Sequence, residues 1–448
     1  MVQDVLGFVP MEFRQGFEYL RLRNFLLKSQ YWHADKITQW QFERLTKIIN
    51  KAYNETDGYR QLYDEEGVRP KDLQTLSDLK YFPQVNKSLM QDNVKSFTSK
   101  KWSMNNLYLS STSGSSAEPF SFYNVKRVRF EYSFMFLLWK WFGHNPNELA
   151  AVLKGEFGDD PDQLYDLDRY YNSLLLSSSQ LSRETLPLYL KLIRKHDIHI
   201  LRALPSTLYL LCQLLREIDR SEWPLFKVIS ISSENNYDWQ FRLFKKTFPN
   251  ARIFSWYGHA EQALLAPFCE KTDKYHLWPF YGIAEIMNNS GNEVIEGEVG
   301  RLFGTSLFCE ATYFIRYDTG DNAEKGASFC QECGRNFQLL NRIEGRAQEF
   351  VLTKTGRKVS VTVLNLSDQT YEKLKQFQFY QDRKGILVFK YVPKVQLSAS
   401  DQAALTARLQ RKIGTDIEIR LEQKDRINRT QAGKYIFMDQ QLPLNIVE

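Results

Sequence analysis

The chain has 448 residues, 43% hydrophobic and 25% charged, proportions that exclude a disordered or low-complexity protein. Its 59 Lys+Arg against 53 Asp+Glu leave a formal excess of +6, too small at this length to argue for nucleic acid. Five cysteines exclude a dense disulfide framework.

The length predicts a large unit plus at least one smaller one. The opening segment MVQDVLGFVPMEFRQ has no basic stretch followed by an apolar one, so no signal peptide is expected. The most apolar run, residues 134–139, is broken by Lys140 and is far shorter than the roughly 20 residues a membrane span needs. A cytoplasmic protein with reduced thiols and no integral membrane segment is expected. Nothing in the sequence sets the oligomeric state.

The first hundred residues read as mostly helical. Trp40, Leu45, Ile48 and Ile49 recur at helical spacing, and Leu73, Leu76 and Leu79 do so after Pro70. Residues 107–109 predict a short strand, followed by the hydroxyl-rich loop Ser110-Ser111-Thr112-Ser113-Gly114-Ser115-Ser116-Ala117-Glu118-Pro119. An aromatic segment, residues 125–142, predicts a helix carrying Phe134, Phe136, Trp139 and Trp141. Those rings suit an acyl pocket wall, but core packing is the commoner explanation.

Strands and helices then alternate. Strands are expected at 151–153, 198–203, 228–231 and 253–256, helices at 183–195, 206–218 and 238–248, with Ser206 as an N-cap. Alternation argues for an α/β architecture with a substantially parallel sheet. Consecutive strands at 276–286, 298–307 and 312–317 predict a β-rich subdomain. Strands at 386–392 and 417–421 flanking an amphipathic helix at 399–413 predict a small α+β lobe. The joint is placed near residues 347–349, giving a body of residues 1–347 and a lobe of residues 348–448.

Four fragments carry chemistry, each with a plainer reading. The Ser/Thr/Gly loop suits phosphate oxygens, because hydroxyls and backbone N–H groups can wrap them; a flexible polar linker looks the same. Arg316-Tyr317-Asp318-Thr319-Gly320-Asp321 ends an expected strand with two carboxylates able to accept ribose hydroxyls, or is a simple β-turn. Gly345-Arg346 follows. Arg429-Thr430-Gln431-Ala432-Gly433-Lys434 sets a lysine after a glycine turn, where it can meet a developing anion or simply face solvent.

Order and spacing make the set specific. Ser110 to Pro119, Pro205-Ser206, Ser233-Glu234, Tyr257-Gly258-His259-Ala260-Glu261, Arg316 to Asp321, Gly345-Arg346 and Arg429 to Lys434 together resemble the adenylate-forming superfamily of acyl-CoA ligases, adenylation domains and luciferases. The similarity is greatest to its phenylacetate–CoA ligase-like branch and to related adenylating proteins linked to capsular polysaccharide synthesis.

The resemblance implies an α/β multidomain fold with a mobile C-terminal lobe. It also implies an activity: ATP and a carboxylic acid give an acyl-adenylate and pyrophosphate, and the acyl group passes to coenzyme A or to an amine. By resemblance, Ser113, Gly114 and Ser115 cover the triphosphate. Ser233, Glu234, Tyr257 and Gly258 line the adenine pocket, with Tyr257 stacked on the base. Glu261 helps hold Mg²⁺, Asp321 binds the ribose hydroxyls, Arg346 approaches ribose or phosphate, and Lys434 stabilises the adenylation transition state.

The pattern departs from the family at Ala117 and Glu118, where Gly and Lys are usual; Glu118 weakens the electrostatics of a phosphate site. Gln348 replaces the usual acidic hinge residue. These departures motivate a second expectation, a catalytically silent nucleotide-binding relative; the presence of Glu261, Asp321, Arg346 and Lys434 argues against it.

Cys330 and Cys333 form a Cys-x-x-Cys pair, the spacing with which a turn presents two thiolates to Zn²⁺. Cys269 and His276 complete a Cys₃His set, and phenylacetate–CoA ligase-like proteins carry similar cysteines. Free thiols on a surface turn are the alternative. Cys212, in a leucine-rich helix, reads as core, and Cys309 has no assigned role. Residues 349–448 hold 17 Lys+Arg and 11 Asp+Glu, so the whole formal excess falls on the expected lobe. That suits a lobe closing on polyphosphate.

Overall fold

The computed structural model describes residues 9–111, 120–126, 130–154, 163–178, 180–234, 237–346, 350–360, 373–428 and 436–442. Its contacts divide the chain into two units. The first comprises Met1–Glu148, Arg169–Asn172 and Phe254–Ile343; the second comprises Leu149–Asp168, Ser173–Ile253 and Glu344–Glu448.

The first unit begins with helices α1 (Met11–Arg14), α2 (Phe17–Ser29), α3 (Ala34–Glu55) and α4 (Asp57–Glu65). Helix α3 buries Ile37, Leu45, Ile48, Ile49 and Ala52, one helical stripe. Burying each of its branched aliphatics stabilises the unit by about 1.5–3 kcal/mol. The expected helix after Pro70 is instead two 3₁₀ turns, Pro70–Asp72 and Leu76–Tyr81. Asp72 accepts from Arg69 N at 2.7 Å and Asp78 from Thr75 N at 2.6 Å, and such local side-chain bonds compete with helix extension. Helix α5 (Lys87–Asp92) follows.

Strand β1 (Leu107–Ser111) pairs antiparallel with β2 (Ser121–Val125). The expected helix therefore starts later, as α6 (Glu131–Trp141). Phe120 and Phe122 alternate with polar neighbours and pack their buried rings on Phe314, a period-2 pattern that favours a strand.

The second unit builds a sheet from β3 (Ala150–Lys154), β4 (Tyr165–Asp168), β5 (Ser173–Ser177), β6 (Ile200–Ala203) and β7 (Val228–Ser232), ordered β4-β5-β3-β6-β7. All neighbours are parallel except β4–β5. The intervening helices are α7 (Leu186–Lys195), α8 (Pro205–Leu215) and α9 (Asp238–Thr247). The expected α/β alternation is thus observed.

The first unit resumes at Phe254, within β8 (Arg252–Gly258), which pairs antiparallel with β9 (Leu265–Pro267). A five-stranded sheet follows in the order β10-β14-β13-β12-β11, formed by β10 (Tyr275–His276), β11 (Gly282–Met287), β12 (Val299–Ser306), β13 (Tyr317–Lys325) and β14 (Leu339–Arg346). The expected strand at 312–317 is displaced to β13. Arg316 stands in the left-handed region (φ 48°) and ends the extended run there. Its buried guanidinium grips Glu285 and the carbonyls of Lys80 and Phe82, which holds that conformation.

The second unit resumes with the hairpin β15 (Phe350–Leu352) and β16 (Lys358–Ser360). A sheet ordered β19-β18-β17-β20 follows, from β17 (Leu374–Arg383), β18 (Ile386–Pro393), β19 (Glu418–Gln423) and β20 (Met438–Gln440). Helix α10 (Ala399–Ile413) covers it with Leu405, Leu409 and Ile413. Ser398 caps α10, accepting from Asp401 N, while Asp401 accepts from Ser398 N at 3.1 Å. The α+β character expected of this region is observed.

Candidate active site and metal centre

At the end of β8, Tyr257 and Gly258 lead into a turn closed by Gln262 N donating to His259 O at 3.0 Å. Gly282 lets β11 approach this turn: a Cβ there would lie 1.9 Å from Ala263 O. Glu261 is buried in the turn. Tyr317 Oη donates to its Oε1 at 2.8 Å, and His259 Nδ1 lies 3.3 Å from Oε2. Cys309 Sγ donates to the Glu261 carbonyl at 3.5 Å. Burial disfavours the charged carboxylate, but the His259 and Tyr317 contacts outweigh it and hold Glu261 at about 2. The result is a fixed, ionised carboxylate of the kind hard cations bind.

Asp321 lies on β13 and accepts from Tyr257 Oη at 2.8 Å. Burial and this neighbouring charge push the Tyr257 hydroxyl well above its ordinary range. Asp318 pairs with Arg301 through two contacts of 2.9 and 2.7 Å. Thr319 donates to Leu302 O at 2.7 Å and accepts from Asp321 N at 3.2 Å. The Arg316–Asp321 motif therefore divides its work. Arg316 turns the chain, Tyr317 reaches Glu261, and Asp321 meets Tyr257.

In the second unit, Ser233 occupies the left-handed region at φ 69° and is exposed. The Glu234 carboxylate accepts from Ser206 N at 2.8 Å and Ser206 Oγ at 2.9 Å. Ser206 is thus not the expected N-cap. Helix α8 starts at Pro205, whose fixed φ suits a first helical position, and Glu234 supplies the anion at the helix N-terminus. The backbone of Arg346 ends β14. Its side chain, and Ser113, Gly114, Ser115, Ala117, Glu118, Gln348 and Lys434, lie outside the described residues.

The first unit also gathers Cys269, His276, Cys330 and Cys333, whose ligand atoms all lie within 4.8 Å of one another. Cys269 Sγ is 3.9 Å from Cys330 Sγ, and Cys333 Sγ is 3.3 Å from His276 Nε2. Tetrahedral Zn–S bonds of about 2.3 Å require sulfurs about 3.8 Å apart, so the arrangement fits that metal. Gly334 closes the Cys-x-x-Cys turn, donating to Cys330 O at 2.8 Å with φ 76°. Contacts from Cys333 and His276 hold the Cys269 thiol down at about 3, in its ligating form. Cys212 is core, as expected.

Sequence reasoning missed Glu131, His259, Cys309 and Arg335. Arg335 is buried beside the cysteine turn, paired with Glu270 at 2.8 Å and stacked 3.8 Å over Trp141. Its signal was adjacency to the Cys-x-x-Cys pair. His259 stood in the Tyr257–Glu261 motif, two residues from the carboxylate it meets, but was given no role. Glu131 and Cys309 reach the turn across 131 and 48 positions and left no local signal. Phe134 packs on Trp278, Tyr281 and Phe308, and Trp141 stacks on Trp278, so the helix's aromatic face is largely core. A cavity of about 570 Å³ nearby is lined by Tyr19, Phe25, Trp40, Arg44, Phe130 and Phe308, among others. Among the described residues, no helix is long and apolar enough to cross a membrane.

Residues 351–441 match the CapK C-terminal domain. Phenylacetate–coenzyme A ligase of Escherichia coli (strain K12) is 24% identical over 377 residues, covering 82% of this chain and 84% of that protein. Phenylacetate–coenzyme A ligase of Pseudomonas putida is 23% identical over 368 residues, 77% of each. A 2-hydroxyisobutyryl-CoA ligase, solved in the postadenylation state in complex with R3-HIB-AMP, superposes with a TM-score of 0.74 at 14% identity, covering 92% of this chain and 91% of that one. The chain has the fold of the adenylate-forming CoA ligases, matches the CapK C-terminal domain over residues 351–441 and is similar to phenylacetate–coenzyme A ligases over most of its length.

Proposed function

We propose that this chain is an AMP-forming acid ligase. It joins a carboxylic acid to ATP, releases pyrophosphate, and passes the acyl group from the adenylate to coenzyme A. The observation that carries the reading is the two ordered carboxylates in the first unit: Glu261 held by Tyr317 and His259, and Asp321 held by Tyr257. It stands in a chain similar to phenylacetate–coenzyme A ligases over most of its length.

In this reading residues 1–347 form the body and residues 348–448 the closing lobe. Asp321 accepts the ribose hydroxyls. Tyr257, Gly258, Ser233 and Glu234 border the adenine, and the Glu234–Ser206 bonds fix that loop's entry. Ser113, Gly114 and Ser115 cover the triphosphate, and Arg346 approaches ribose or phosphate. Glu261 holds Mg²⁺, which neutralises charge as pyrophosphate leaves. Lys434 brings a cation to the reacting oxygens. Cys269, His276, Cys330 and Cys333 hold a structural Zn²⁺ that pins the Cys-x-x-Cys turn. The protein acts in the cytoplasm.

The test is acid-dependent pyrophosphate exchange over a panel of carboxylic acids with Mg²⁺. Exchange with at least one acid is expected, and none with any acid overturns the reading. Lys434→Ala is expected to lower exchange at least a hundredfold at unchanged melting temperature; unchanged exchange removes its role. Metal analysis after purification without added metal is expected to give one zinc per chain; a sub-stoichiometric value removes that site. The CapK C-terminal domain favours a second reading, an amine acceptor on a saccharide. Supplying coenzyme A or amino sugars to the adenylating enzyme separates the two by product mass.

A further inference from the structure

Gln262 stands directly after Glu261 in the left-handed region, at φ 55°. A non-glycine residue there is strained and persists only where its surroundings impose it. What imposes it is visible. Gln262 Nε2 donates to Glu131 Oε2 at 3.3 Å, and Tyr281 Oη donates to Glu131 Oε1 at 3.1 Å. Glu131 is the first residue of α6, so a helix start anchors the turn.

Each oxygen of this half-buried carboxylate thus receives one donor. Tyr281 belongs to an aromatic group with Phe130 and Phe134, which fixes its hydroxyl. The turn is also held at Glu261 itself, through Tyr317, His259 and Cys309. Those contacts set the carboxylate and the carbonyl. On Gln262 itself, the backbone bond to His259 O closes the turn at 3.0 Å and the Glu131 tether holds the side chain.

We propose that Glu131 is a positioning residue: through Gln262 it holds the strained turn that aims the Glu261 carboxylate at its cation. This rests on the reading of Glu261 as a Mg²⁺ ligand. Glu131 reaches no substrate in this scheme and acts through backbone geometry alone. Glycine adopts the left-handed conformation without strain. A Gln262→Gly turn therefore needs no tether, and this separates positioning from packing.

The experiment titrates Mn²⁺ into the full-length protein with ATP, following bound ion by electron paramagnetic resonance, with melting temperature alongside. Glu131→Ala is expected to weaken Mn²⁺ binding about tenfold, yet less than twofold in a Gln262→Gly background. An unchanged affinity in the native background, or the same tenfold loss in both, overturns the proposal. Should Glu131→Ala not fold, the exchange Glu131→Gln with Gln262→Glu replaces it, since it reverses donor and acceptor across the same gap. That double variant is expected to bind within threefold of the native protein, while Gln262→Glu alone sets two carboxylates together and loses at least tenfold. A double variant no better than Gln262→Glu overturns the tether. If the native protein binds Mn²⁺ no better than Glu261→Gln, the reading of Glu261 fails, and the tether's function fails with it.

Discussion

Arg335 gives the most quantitative prediction. Its guanidinium is 1% exposed and 2.8 Å from Glu270, itself 17% exposed. At an effective dielectric of 20 that separation is an attraction of about 6 kcal/mol. Desolvation of both groups offsets much of it, so the intact pair adds little net stability. Removing one partner is different, because the other charge stays in a low-dielectric place. Arg335→Ala should therefore destabilise by about 3–5 kcal/mol. Part of the loss comes from the cation over the Trp141 ring, about 2 kcal/mol for a desolvated contact. Glu270→Ala should destabilise by a similar amount, and the double variant by about 1–3 kcal/mol less than the sum.

Equilibrium urea denaturation of the four proteins measures this cycle, and hydrogen exchange at the Gly334 amide, which donates to Cys330 O, localises it. Faster Gly334 exchange in Arg335→Ala is expected, because Arg335 O accepts from Cys330 N at 3.0 Å within the same turn. A single variant within about 1 kcal/mol of the native protein would refute the buried-charge argument. Strict additivity of the cycle would refute the coupling.

Three further outcomes follow. Tyr257→Phe removes the donor to Asp321 and should raise the KM for ATP about three- to tenfold with kcat little changed, as one hydrogen bond implies; steady-state pyrophosphate release with varied ATP checks it. Gly282→Ala puts a methyl against Ala263 O and should lower the melting temperature by several degrees and impair adenylation, while Gly291→Ala, strained at φ 76° but with open space around it, should spare adenylation. Asp416 is held well below its usual range by Thr355 first, then Thr353 and Arg357, despite its exposure. A depressed carboxylate contributes stability above its unfolded pKa and loses it as pH falls through the folded one. Asp416→Asn should therefore flatten the loss of stability below about pH 4, seen in melting temperature against pH; an unaltered profile would count against it.

The long periodic elements were legible because a single local rule governs each. Helix α3 carries a five-residue buried stripe, and α10 carries three apolar residues at spacing four with a capping box. The strand displacement at Arg316 was not legible. The left-handed turn there is held by Glu285, 31 residues away, and by carbonyls more than 230 residues away. The helix start at Pro205 was misjudged for a related reason: the anion serving Ser206 lies on a different strand's exit.

At the site, sequence by itself determined which chemistry was present. Tyr257, Glu261, Asp321 and the Cys-x-x-Cys pair stand in motifs whose residue types and order do not depend on folding. The thiolate set was nearly complete in the sequence because two of its members are fixed by one tight turn. Only tertiary structure decided how those groups are held. Tyr317 reaches Glu261 across 56 positions, and Glu131 reaches Gln262 across 131. Such separations leave no local pattern, because their geometry arises when β11, β13 and the start of α6 pack around one turn.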